Sequence, residues 1–220
     1  MQQFAWPSLV GTSHIFTSST TNADDSFNIA VMGAPMVGKS VLINKFVNGT
    51  APTCYWPTVQ ERYTKCMDIE GRRAVLDIFD TPGGYCFSYL RDVAIANADA
   101  FVLVYSVKDE ASFETLTVLR DRILHEKLPD VPITVVGNKT DVPISSRFMS
   151  KNRAQSIITT VWQNEYKEIS AKDDSNISDI FTTIGSMACT FISNQKRLRA
   201  QARRRCSRKH KLLKNICTIS

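Results

Sequence analysis

The chain predicts an α/β architecture, an open and mainly parallel sheet covered by helices on both faces. Three observations carry that expectation. From Phe27 onward, short apolar runs alternate with stretches of helical spacing, the pattern that stacks strand, helix and strand into a parallel sheet. The first apolar run feeds a glycine loop that opens straight into a helical stretch. Residues Arg62 to Ile69 and Arg73 to Asp80, separated by Glu70-Gly71-Arg72, read as a hairpin that adds one antiparallel pair.

In chain order, Met1 to Asp25 is rich in Ser, Thr and Asn, with little charge and no period. It reads as a flexible extension, and its Phe4, Trp6, Ile15 and Phe16 are scattered. Gln2 rules out N-myristoylation, which needs Gly there. Phe27 to Met32 is a buried strand and Val41 to Val47 the first helix. Ala74 to Phe79 is the second strand of the hairpin. Ala100 to Ser106 is apolar enough for a central strand, and Val131 to Gly137 is another. Ser112 to His125 shows helical spacing through Phe113, Leu116, Leu119 and Ile123, and Phe148 to Trp162 does so less cleanly. Ile177, Ile180, Phe181, Ile184, Ala188, Phe191 and Ile192 stripe a last helix as core residues.

The 220 residues, 43% hydrophobic, suit one globular domain at 26–195 between an N-terminal extension at 1–25 and a basic tail at 196–220. No apolar stretch approaches the roughly 20 residues of a membrane span, and no signal peptide precedes the domain. The expectation is a chain made and folded in the cytosol. Its six cysteines lack metal-type pairing and read as reduced thiols.

Chemistry is concentrated in Gly33-Ala34-Pro35-Met36-Val37-Gly38-Lys39-Ser40, which satisfies G-x-x-x-x-G-K-[ST] between a strand and a helix. Glycines let successive N–H groups curl inward at phosphate oxygens, and the helix N-terminus adds partial positive charge. Lys39 then reaches the β- and γ-phosphates, and the Ser40 hydroxyl ligates Mg²⁺. Asp80-Thr81-Pro82-Gly83-Gly84 follows a strand, placing the Asp80 carboxylate where Mg²⁺ coordination is possible. Asn138-Lys139-Thr140-Asp141 follows the Val131 to Gly137 strand, and Lys167-Glu168-Ile169 runs into Ser170-Ala171-Lys172.

GAPMVGKS, YWPTVQERY, DTPGG, NKTD and SAK, in that order, resemble the Ras-type small GTPases from Phe27 to about Phe191. The resemblance implies a P-loop NTPase fold with a six-stranded, mostly parallel sheet, one antiparallel strand and about five helices. It implies GTP and GDP as ligands, with Mg²⁺ held by Ser40, Thr58 and Asp80. Asp141 then accepts two hydrogen bonds from guanine, Asn138 and Lys139 brace the base and the phosphate loop, and the Ala171 N–H meets the guanine oxygen beside Ser170 and Lys172. Lys39, Thr58, Gly83 and Gly84 fall at the reaction centre, Thr58 and Gly83 as the contacts that sense the γ-phosphate. Tyr55, Trp56, Pro57, Thr58, Val59, Gln60, Glu61, Arg62 and Tyr63 match the effector loop. The implied partners are effectors, exchange factors and GTPase-activating proteins, with the protein a monomer.

Departures from the family pattern bear on mechanism. Gly84 stands where Ras-type proteins carry the glutamine that orients the attacking water. Pro35 and Met36 replace paired glycines close to where a partner's arginine finger enters, a contact that in Ras is worth on the order of 10³ to 10⁵ in rate. Slow intrinsic hydrolysis and an altered or absent response to activating proteins follow. Ala51 falls where the family has a phenylalanine against guanine, and losing an aromatic contact of about 0.5 to 1.5 kcal/mol weakens nucleotide retention unless Tyr55 or Trp56 compensates. Gln60, Glu61 and Arg62 reduce the negative charge offered to effectors.

The tail from Lys196 to Ser220 holds ten Lys or Arg and no acidic residue, leaving 17 basic against 21 acidic residues in the remainder. The whole +6 net charge therefore lies in the tail. Cys217-Thr218-Ile219-Ser220 is a C-a-a-X box whose terminal Ser favours farnesyl, and Cys206 is a candidate for palmitoylation. One lipid anchors marginally, and adjacent basic charge supplies the second signal at the cytoplasmic face of the plasma membrane. Arg203-Arg204-Arg205 and Arg208-Lys209-His210-Lys211 also suit a nuclear-localisation or nucleic-acid patch; the terminal cysteine box favours the membrane and no nucleic acid. Two classes stay open: a cycling GTPase, and a constitutively GTP-bound signalling module on the same fold.

Overall fold

The computed structural model describes residues 25–51, 61–84, 88–173 and 176–217, with side chains described between 26 and 203. Six strands form one sheet in the order β2-β3-β1-β4-β5-β6: β1 (Asp25–Met32), β2 (Glu61–Ile69), β3 (Arg72–Asp80), β4 (Ala100–Ser106), β5 (Ile133–Asn138) and β6 (Glu165–Glu168). All neighbours are parallel except β2 and β3. Every residue of β4 and β5 is buried, as a strand covered on both faces requires.

One side of the sheet carries α1 (Lys39–Asn48) and α5 (Ile177–Cys217), whose Leu42, Ile43, Phe46, Ile180, Phe181 and Ile184 close over Ile29, Val31 and Leu76. Phe46 stacks on Phe181 with centroids 3.9 Å apart. The other side carries α3 (Glu110–Glu126), whose Phe113, Leu116, Leu119 and Ile123 meet Phe101, Leu103, Ile133 and Val135. Asp109 caps α3, its side chain accepting from the Ser112 N–H.

Several elements differ from expectation. The hairpin turn is two residues, Glu70 (φ 53°) and Gly71 (φ 76°), because Arg72 already pairs with Ile69. A helix not read from the sequence, α2 (Ser88–Asn97), follows the DTPGG loop; it buries only Ala94 and Ile95, too thin a stripe to show as a period. The stretch from Phe148 to Trp162 starts helical only at α4 (Lys151–Gln155), capped by Ser150, and continues as a π-helical turn at Ser156–Val161. Five successive β-branched residues there, Ile157 to Val161, are poor helix formers. The helix α5 runs 41 residues, unbroken across 195 and 196, where composition alone divides domain from tail. Among the described residues no helix is long and apolar enough to cross a membrane.

Candidate nucleotide site

Parallel register aligns the carboxyl ends of β1, β3, β5 and β6 along one edge of the sheet, the side where open α/β sheets bind ligands. The loop from Gly33 to Gly38 leaves β1 there and turns into α1. A Cβ at Gly33 would lie 2.1 Å from the Val104 carbonyl oxygen, and one at Gly38 (φ +101°) would lie 2.4 Å from Asn138 Nδ2. The backbone is therefore pressed into its curl from outside. Gly38 precedes α1 without a side-chain cap, which leaves first-turn N–H groups for an anion.

Lys39 is 6% exposed, and its ammonium donates to the carbonyl oxygens of Gly33 (3.0 Å) and Ala34 (2.9 Å). Burial pulls its pKa down to about 8, against the upward pull of Asp80, and Arg91 adds to the depression. Phosphate charge at this place would hold the lysine protonated. Ser40 sits in the first turn of α1, and Asp80 ends β3 fully buried. A hydroxyl and a carboxylate are the hard oxygen donors that suit Mg²⁺, so the donor set fits that ion.

Gly83 packs on the phosphate loop: a Cβ there would lie 2.4 Å from the Pro35 nitrogen. Gly84 offers only backbone, and its carbonyl accepts from Arg91 Nη1 on α2 at 2.6 Å. Arg91 escaped the sequence reading because α2 did.

The base motifs meet the phosphate loop through Asn138, 1% exposed. Its Nδ2 donates to the Val37 carbonyl (2.7 Å), while its Oδ1 accepts from the Lys139 and Ala171 N–H groups (2.7 and 3.0 Å). The Ala171 N–H, the donor expected for the guanine oxygen, is held beside Asn138 Oδ1 between the two loops. Lys139 Nζ donates to the Met36 carbonyl, and Lys45 on α1 donates to the Lys172 carbonyl at 2.7 Å. Asp141 Oδ1 accepts from Ser170 Oγ (3.1 Å), and Oδ2 lies 3.4 Å from Lys172 Nζ. Burial pushes its carboxyl upward, but Ser170, its own N–H and Lys172 outweigh that and hold it below the usual carboxylate range.

Of the effector segment, Tyr55, Trp56, Pro57, Thr58, Val59 and Gln60 lie outside the described residues, so Thr58 is not placed. Glu61, Arg62 and Tyr63 begin β2. The Arg62 guanidinium is paired across the ladder to Asp77 at 2.7 Å and lies 5.5 Å over the Phe79 ring, so its positive charge is partly neutralised by its own sheet. Tyr63 donates to Glu61 and accepts from Asn44; burial and the Glu61 contact push its hydroxyl up to about 12. Ala51 is exposed. The side chains of Cys206 and Cys217 lie outside those described, though Cys217 is the last residue of α5.

The model of the Ras family matches residues 28–189. The chain belongs to the Ras family. It is 31% identical over 175 residues to the GTP-binding protein Rhes of Homo sapiens, of Mus musculus and of Rattus norvegicus, an overlap of 76% of this chain and 66% of each relative. This Ras-family chain thus spans just under two thirds of the length of those relatives. Members of the family bind guanine nucleotides, work with regulators and effectors, and hydrolyse GTP.

Proposed function

We propose that this Ras-family chain binds GTP and GDP with Mg²⁺, switches effector binding, hydrolyses GTP slowly, and is held at the cytoplasmic face of the plasma membrane by a prenyl group on Cys217 together with its basic tail. The observation that carries the nucleotide reading is Asn138, whose one side chain ties the phosphate loop to both base loops. A site so joined presents phosphate-binding N–H groups and the charged Asp141 as one unit, and a base without guanine's paired donors forgoes two hydrogen bonds to that carboxylate.

At the phosphate end, Lys39 supplies positive charge and Ser40, Thr58 and Asp80 would hold the metal. Bound Mg²⁺ supplies charge neutralisation across the phosphate oxygens. The Gly83 N–H is the backbone donor for the γ-phosphate. Nothing extends from Gly84 to orient the attacking water, and its carbonyl is engaged by Arg91, so catalysis falls to positioning by backbone and Lys39. Single-turnover GTP hydrolysis by the wild type and Gly84→Gln tests this. The variant should be faster; equal rates would contradict the slow-hydrolysis reading.

The packing of Gly83 on Pro35 favours a second reading, a module that stays GTP-loaded and is controlled by abundance or membrane release. A bulky, φ-restricted proline beside the sensing glycine crowds the entry of a partner's arginine. Effectors, exchange factors and, for the cycling form, activating proteins are the partners of either reading, with the chain acting as a monomer.

A further inference from the structure

We propose that Arg147, Glu168, Tyr166 and Tyr105 are positioning residues for the guanine pocket, a buried polar chain that locks the two base loops together and sets how tightly and selectively the base is held. The inference rests on the guanine reading above. Arg147 Nη2 donates to Glu168 Oε2 at 2.5 Å, with only 13% and 8% of the two side chains exposed. The Tyr166 hydroxyl donates to Glu168 Oε1 at 2.7 Å and lies 2.7 Å from the Tyr105 hydroxyl.

These contacts join the segments that carry the base motifs. Arg147 follows Asp141 in the same loop, past the 3₁₀ turn Ile144–Ser146. Glu168 ends β6 two residues before Ser170. Tyr105 is the penultimate residue of β4, two strands away, and β5 passes between the tyrosines: a Cβ at Gly137 would lie 3.0 Å from both hydroxyls. The hydroxyl pair therefore crosses the residue directly before Asn138. Phe148, next to Arg147, packs edge-on against Tyr105 at 6.2 Å.

The fold needs such a lock. The strand β6 is four residues long, lies at the sheet edge and has one neighbour, so its ladder holds the Ser170-Ala171-Lys172 loop weakly. A buried ion pair is a poor source of net stability, yet it fixes registry, and breaking it leaves a charge without its partner. The chain touches neither phosphate-loop backbone nor Lys39 in these contacts, so its influence falls on the base end.

The test is the dissociation rate and affinity of GDP and of inosine diphosphate, which lacks the exocyclic amine facing Asp141, for purified full chain. Arg147→Ala should release GDP about 10- to 100-fold faster and reduce the preference for GDP over inosine diphosphate. Tyr166→Phe should do the same by a few-fold, and Arg147→Lys should restore most of the preference. Circular dichroism establishes folding, and Tyr166→Phe, which removes one oxygen, keeps the test available should Arg147→Ala not fold. Folded variants with lowered melting temperature but an unchanged GDP preference would overturn the inference, leaving a structural role. A wild type with no preference for guanine would instead overturn the parent reading, and this one with it.

Discussion

Asn138→Ala probes the joint on which the site depends. The substitution removes three hydrogen bonds, to the Val37 carbonyl and from the Lys139 and Ala171 N–H groups, at a side chain 1% exposed. At a net 0.5–1.5 kcal/mol each, the loss is about 3 kcal/mol. Because two of the three bonds, to Val37 and from Ala171, connect loops that a nucleotide must find already in place, about 2 kcal/mol of that loss should appear in binding, a factor of about 30 in affinity. A fluorescent GDP analogue, displaced by excess GDP in Mg²⁺ buffer, measures it as dissociation rate, since affinity changes of this kind fall mainly on release. The core contacts of α1 and α5 are untouched, so the variant should keep a cooperative unfolding transition. Release at the wild-type rate from the folded variant would mean that the loops are placed by something other than Asn138.

Contacts elsewhere in the fold set further outcomes. In Gly185→Ala the new methyl meets Ile69 Cδ1 at 2.5 Å within the core; overpacking of about 1–3 kcal/mol should exceed the helix gain of about 1 kcal/mol, and adding Ile69→Val should reverse the sign in urea unfolding of GDP-loaded protein. Asp77 is held below the usual carboxylate range: burial raises its pKa, but the Arg62 and Thr64 hydrogen bonds and the Arg62 charge outweigh it. A depressed carboxylate gives stability present above its unfolded pKa and lost as pH falls through the folded value. Acid unfolding below about pH 4 should therefore flatten in Asp77→Asn, with less than about 1 kcal/mol lost at pH 7, since Arg62 is largely exposed. Farnesylated protein should sediment with phosphatidylserine vesicles in a salt-dependent way, and Cys217→Ser should lose most of that binding; equal sedimentation would discount the prenyl anchor.

The sequence made β1, β4 and β5 legible because strands buried on both faces are nearly continuous apolar runs, and the motifs at their ends could be read with them. Physical causes hid the rest. The helix α2 buries two residues, and the break after Gln155 comes from β-branched crowding that leaves the apolar spacing intact. Arg72 looks like a turn residue until its ladder partner is known. Arg91 at Gly84, Arg62 on Asp77 and the chain from Arg147 to Tyr105 are tertiary pairings between distant positions, with no local signal. Tyr105 read as one more apolar residue of a central strand, although its hydroxyl is what β5 leaves room for at Gly137.

A guanine-nucleotide site with impaired hydrolysis should show in the nucleotide that the protein carries. Protein purified in Mg²⁺ is denatured and the released nucleotide identified by chromatography, beside Gly84→Gln prepared in parallel. A wild type carrying guanine nucleotide, with a larger GTP fraction than the variant, is the predicted result. Adenine nucleotide would contradict the site, and GDP alone in both proteins would contradict slow hydrolysis.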